Sequence, residues 1–222
     1  MLGGHRRQAR ERALQWLLLQ KGLALPRTPE NPQDTMIEGW PWITSTHSWL
    51  EPTACAVLAL RREGHLEHVR AADGLRLIRD RAILTSSGVG GWNYGNKGML
   101  GTVLRPQPAP TGLALLALAG LEQRDSPIVT QACAYLLKIL PETRAPMSLG
   151  WGLLGLRAWG AWPREASAWL DAAARPVLEQ PGQDTPIRLA HLLLPAGDQI
   201  LSVLGLPAPA NRAADAKEAS SS

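Results

Sequence analysis

The chain has no phenylalanine and only two tyrosines, Tyr94 and Tyr135, against nine tryptophans. Apolar residues make up 45% of its 222 positions, so a substantial core is available. Almost all of the aromatic volume in that core comes with an indole N–H, which needs an acceptor when buried. Base composition favouring Ala, Leu, Arg, Pro and Gly would deplete Phe; so would a structural demand for tryptophan. The sequence alone leaves both open. Cysteine is scarce too. Cys55 and Cys133 lie in apolar, helical-looking stretches, which predicts buried free thiols in a reducing compartment and no disulfide.

Other absences narrow the class further. No run of eighteen uncharged apolar residues is present, so no span of a membrane is expected. Residues 189–206 come closest, but Pro195 and Asp198 interrupt them; they read as a buried helix, a turn and a short second helix, with peripheral membrane contact the alternative. No apolar segment with a small-residue cleavage site follows the basic first turn, so a cytoplasmic protein is expected. The net charge of +4 is concentrated in part at His5, Arg6, Arg7, Arg10 and Arg12. Glu11 interrupts this cluster, which reads as a solvated helix face, and no nucleic-acid motif accompanies it.

What is present is a repeat. Pro52-Thr53-Ala54 opens a run ending Leu58-Ala59-Leu60, and Pro110-Thr111-Gly112 opens one ending Leu116-Ala117-Leu118. The two threonines are 58 residues apart. Gly39-Trp40 precedes the first unit and Gly91-Trp92 the second. Internal repetition of this length marks stacked supersecondary units.

Between these landmarks the hydrophobic period is helical. Residues 6–21 predict a helix with Leu14, Leu17 and Leu18 on one face. The segment from Pro52 is apolar nearly all round and reads as buried, with Pro at a helix start. Residues 66–84 read as amphipathic, with Leu66, Val69, Leu75 and Ile78 on one side and Arg70, Asp73, Arg76 and Asp80 elsewhere. Further helices are predicted from Pro110 through Ala119 and over 128–140, 147–159, 164–178 and 184–194. Three of the amphipathic helices share a small-x-x-aromatic-Leu signature: Ala13/Trp16/Leu17, Ala132/Tyr135/Leu136 and Ala166/Trp169/Leu170. The reading is an all-α chain of about eight helices in four hairpins, apolar helices inside and amphipathic ones outside, without strands. One domain spans 1–206, and the Ala/Pro/Ser-rich 207–222 reads as a disordered tail.

With Ala13-Leu14-Gln15-Trp16-Leu17 before the first Gly-Trp, these motifs resemble the prenyltransferase and squalene-oxidase repeat. Squalene–hopene cyclases, oxidosqualene cyclases and protein prenyltransferase β subunits carry that repeat. The resemblance covers roughly residues 6–200 and is strongest over 37–120. It implies an α/α toroid that binds an apolar isoprenoid of squalene or prenyl type between its inner helices. With about eight helices rather than about twelve, this is an abbreviated, partial toroid. Its ring is either open or completed by a second copy or another protein. A non-catalytic helical-repeat module or accessory subunit binding a protein partner is the alternative function.

The catalytic signatures of those enzymes are missing. No Asp-x-Asp-Asp proton donor occurs. Cys133 is preceded at minus two by Gln131 rather than Asp, and His191, 58 residues on, lacks the accompanying carboxylate, so no metal or other cofactor is expected. Mismatches between the two repeats mark where function is to be sought: His47, Trp49 and Glu51 align with Arg105, Gln107 and Ala109. If the protein is an enzyme, of cyclase or transferase type, Glu51 and His47 are the acid–base candidates, each with a bland alternative as a helix-capping carboxylate and a hydrogen-bonded loop histidine. Trp42 and Trp49 are candidate ligand walls, able to face a carbocation. Tyr94, Lys97 and Arg105, in the glycine-rich loop, form a second candidate set for a diphosphate. Trp40 and Trp92, common to both units, read as braces between repeats.

Overall fold

The computed structural model describes residues 2–207 with the exception of 198, and side chains from residue 6 onward. The tail expected to be disordered lies outside the described residues. Those residues form an all-α fold: α1 (Leu2–Leu19), α2 (Leu50–Arg62), α3 (Val69–Asp80), α4 (Pro108–Leu118), α5 (Pro127–Ile139), α6 (Pro146–Ala158), α7 (Ala166–Glu179), α8 (Thr185–Ala196) and the short α9 (Ile200–Val203). The even-numbered helices α2, α4, α6 and α8 pack side by side in chain order, and α3, α5 and α7 pack against them from outside. Leu14, Leu17 and Leu18 of α1 add the first outer element, against Trp40, Ala56 and Leu60.

The repeated motif is a repeated set of hydrogen bonds. The backbone N–H of Trp40 donates to Thr53 Oγ1 at 2.9 Å, and that of Trp92 to Thr111 Oγ1 at 3.0 Å. The Trp40 carbonyl accepts from Trp49 N–H at 3.0 Å; the Trp92 carbonyl accepts from Gln107 N–H at 2.7 Å. Each indole then reaches the outer helix before it. Trp40 Nε1–H donates to Leu17 O at 2.9 Å, and Trp92 Nε1–H to Ile78 O at 2.7 Å. Trp159 Nε1–H also donates to a main-chain carbonyl, that of Leu115 on the inner helix α4, at 2.9 Å. These three are the well-buried tryptophans. Each satisfies its indole on a main-chain carbonyl, which Phe cannot do, so structural demand accounts for these three. The glycine ahead of each repeat tryptophan is a matter of space: a Cβ on Gly39 or Gly91 would lie 2.5 or 2.7 Å from the same threonine hydroxyl.

Between the inner helices glycine permits backbone contact. A Cβ on Gly112 of α4 would collide with the main chain of Trp151 on α6, and one on Gly150 of α6 with the carbonyl of His191 on α8. The inner helices share one direction. Arg61 of α2 donates to the terminal carbonyls of α4 at Leu116 and Ala117, and Arg157 of α6 to those of α8 at Pro195 and Gly197. These cations sit at the negative ends of the next helix. Residues 205–207 cross the same end, with Gly205 against Arg62 and Pro207 against Gly120. Leu201 and Leu206 join the core there. The loops at the opposite end carry His47, Trp49 and Tyr94.

Several expectations are corrected. A two-stranded hairpin, β1 (Gly98–Met99) with β2 (Thr102–Val103), appears where no strand was expected. The stretch between tryptophan and threonine is 13 residues in the first unit and 19 in the second, and the six-residue hairpin fills the difference. α3 is shorter than its hydrophobic period, because Ile83 leaves the helix to pair in both directions with Gly91, at 2.8 and 2.9 Å. Cys55 is exposed and Cys133 only half-buried. α2 is the first inner helix, and among the described residues no other inner helix covers the face bearing Cys55 and Ala59. Arg70 and Arg81, read as solvent-facing or passed over, are buried. Arg70 lies over the Trp40 ring at 4.2 Å and donates to Gln20 O, Glu38 O and Gly39 O, tying α1, the loop and α3 together.

Replacing Thr111 by Val keeps its shape and removes the acceptor of Trp92 N–H. The variant is expected to lose about 1–3 kcal/mol in urea unfolding. Thr130→Val, on the exposed side of α5, is expected to stay within about 0.5 kcal/mol of wild type.

Candidate functional site

The site residues expected from sequence fall into two groups at the loop end. In the first, His47 stacks on Trp49, with ring centroids 4.9 Å apart at 30°. The loop holding them is anchored by two backbone bonds, Leu23 N–H to Thr46 O at 2.9 Å and Trp49 N–H to Trp40 O. Trp42 stands on the same loop and is 58% exposed. An apolar groove of about 460 Å3 runs beside it, lined by Leu23, Leu25, Trp42, Ile43, His47 and Trp49. On its other side a groove of about 440 Å3 lies between α1 and α2, with Trp16, Leu17, Pro52, Cys55 and Ala59 in its walls. Trp42 is therefore a crest between two apolar channels. Sequence reasoning missed Trp16 as a wall of the second. Its place in the outer-helix signature suggested packing, yet α1 is the first helix of the described array and Trp16 is 61% exposed.

The second group surrounds Glu51 in the first turn of α2. The helix is entered through Trp49, whose side chain makes no cap bond; Leu50 N–H is taken by Tyr94 O at 2.9 Å. Glu51 is half-buried. Burial raises its pKa above the ordinary 4.5, and the nearby His191 of α8 works in the opposite direction. Burial, with the Glu51 charge as the smaller cause, also moves the Tyr94 phenol upward. His191 Nδ1 lies 2.8 Å from Ile187 O; a carbonyl can only accept, so that nitrogen is the donor. Its ring meets Trp151 edge-on at 6.3 Å. Sequence reasoning weighed His191 only as a zinc ligand; four helices bring it to Glu51.

The two acid–base candidates thus have different neighbours, His47 with Trp49 and Glu51 with His191. The diphosphate set is also divided. Lys97 Nζ lies 3.8 Å from Asp80 Oδ1, while Arg105 is exposed, its carbonyl held by Asn93 Nδ2 at 2.7 Å. Among the described residues, no group of three His, Cys, Asp or Glu side chains is arranged to hold a metal ion, and no helix is long and apolar enough to cross a membrane. α4 offers a ligand no open side, since ten of its eleven residues are buried.

No protein-family model, curated protein or solved structure matches this chain.

The raised pKa of Glu51 fixes a sign. The folded state favours the protonated acid, so this contribution is complete below pH 4.5 and is lost as pH rises through the raised value. Glu51→Gln, a permanent mimic of the acid form, is expected to be more stable than wild type well above that window and equal to it near its lower edge. Urea midpoints at the two pH values check this; greater wild-type stability at the higher pH contradicts it.

Proposed function

We propose that the protein binds an apolar, isoprenoid-type chain along the grooves flanking Trp42, and that it acts by binding rather than by catalysis. The observation that carries this is the exposure of Trp42 between two apolar channels. A large indole left in water costs free energy that an apolar ligand would recover, at about 25 cal/mol per Å2 covered. The two grooves meet at Trp42 and are walled by Trp16, Leu23, Leu25 and Trp49, so one apolar chain could lie against both faces of the crest.

The resemblance in the repeat motif points to the same ligand class, while the open channels lie at the first edge of the helical array and not around α4. Titration with farnesol and with squalene, followed by tryptophan fluorescence, is expected to give a saturable change. Trp42→Ala, at a surface position, is expected to weaken binding about tenfold, or about 1.4 kcal/mol, without altering the unfolding midpoint. No response to either ligand sinks the proposal.

A second reading, a module or accessory subunit that pairs with a second copy, rests on a different observation. Leu178 and Leu193 stand exposed beside a groove of about 370 Å3 between α7 and α8, at the last edge of the array. It requires a solution mass of twice 24.0 kDa; a strict monomer removes it.

A further inference from the structure

Beside the Trp42–Trp49 groove lies a second hollow with a more polar lining. It measures about 160 Å3 and is walled by Asn31, Gln33, Ser48, Arg81 and Asn96 together with Thr35 and Ile37, and shares His47, Leu23 and Leu25 with the apolar groove. Gln33 and Arg81 are 3% and 4% exposed. Gln33 Oε1 is occupied, accepting from Gly98 N–H at 3.2 Å, which turns its NH2 group to other partners; among the described residues Nε2 has none. Arg81 Nη1 is held by Asp34 O at 3.1 Å and by the Asp80 carboxylate, while its Nε–H is also unpartnered. The Ser48 hydroxyl is already an acceptor, for Gly39 N–H at 2.8 Å. Two buried donors are thus left over, and buried donors without partners are costly.

Charge points the same way. The lining carries the guanidinium of Arg81. Arg81, Lys97 and Arg27 share the carboxylates of Asp80 and Asp34, so three cations face two anions. The volume matches a small oxyanion, or a few waters at about 30 Å3 each. A cavity rich in donors and cationic, opening beside an apolar channel and sharing three residues with it, is matched by a ligand with two ends.

We infer that this edge of the fold holds an amphiphile, its oxyanion head, carboxylate or phosphate, at Gln33 and Arg81 and its apolar tail along Trp42 and Trp49. The inference rests on the chain-binding reading above and adds the head group to it. Burial shifts the Arg81 pKa downward, with Asp80 and Asp34 acting in the opposite direction.

Three ten-carbon probes test it on the full chain by calorimetric titration near neutral pH: decanol, decanoate and decyl phosphate. An anionic probe is expected to bind at least about tenfold tighter than decanol, and whichever of the two does so identifies the head. Gln33→Glu keeps the acceptor for Gly98 N–H but replaces the free donors with a carboxylate. Asn96→Asp places a charge in the same wall without touching a buried donor, and serves if the first variant does not fold. Each variant is expected to erase the anionic advantage and leave decanol binding intact. Decanol binding with no anionic advantage, or an advantage that survives both variants, overturns the head site while leaving the apolar groove standing. No binding by any probe overturns the chain-binding reading and the head site with it.

Discussion

Two threonine hydroxyls hold this fold in register. Thr53 and Thr111 each sit in the first turn of an inner helix and accept the backbone N–H of a tryptophan from the loop before it. That bond fixes the loop, and the fixed loop aims the indole at a carbonyl of the preceding outer helix. One small polar side chain thereby connects inner helix, loop and outer helix, and the glycine before each tryptophan exists because the hydroxyl lies so close. Repeat proteins need such a nearest-neighbour device, since no single hairpin buries its own apolar face. The direction of the inner helices, the position of Trp42 and the pairing of Trp49 with Trp40 all follow from it.

The motif was legible because it is local. Gly-Trp and Pro-Thr recur in order, and the hydrogen bonds that join them recur in the same order. Trp40 and Trp92 brace neighbouring helices, as their presence in both units suggested. Helix starts were less legible: α2 begins at Leu50 and α4 at Pro108, two residues ahead of the prolines that seemed to open them. Long-range partners left no mark in the period. Arg70 occupies a polar position on an amphipathic helix, yet it is buried because three carbonyls from α1 and the loop converge on it. The hairpin at Gly98–Val103 answers a loop-length difference that comparing the two units could have exposed.

The candidate site divides along the same line. Trp42 and Trp49 stand on one loop and line one groove, as neighbours in sequence can. Glu51 finds its electrostatic partner in His191, brought from the far end of the chain by the stacking of α2, α4, α6 and α8, and no spacing rule announces such a pair. The first inner helix has a free side because it is first. That places Cys55 and the α1–α2 groove in the open and concentrates both apolar channels, with the polar hollow beside them, at one edge of the array.

Native-state hydrogen exchange tests the central role of the tryptophan–threonine tie most directly. The loop amides of Trp40 and Trp92 are predicted to exchange as slowly as the amides of the buried helix α4, opening only with the whole domain. Exchange of these two amides at the rate of the exposed residues 43–45 would contradict the account, because the ties would then open without the fold.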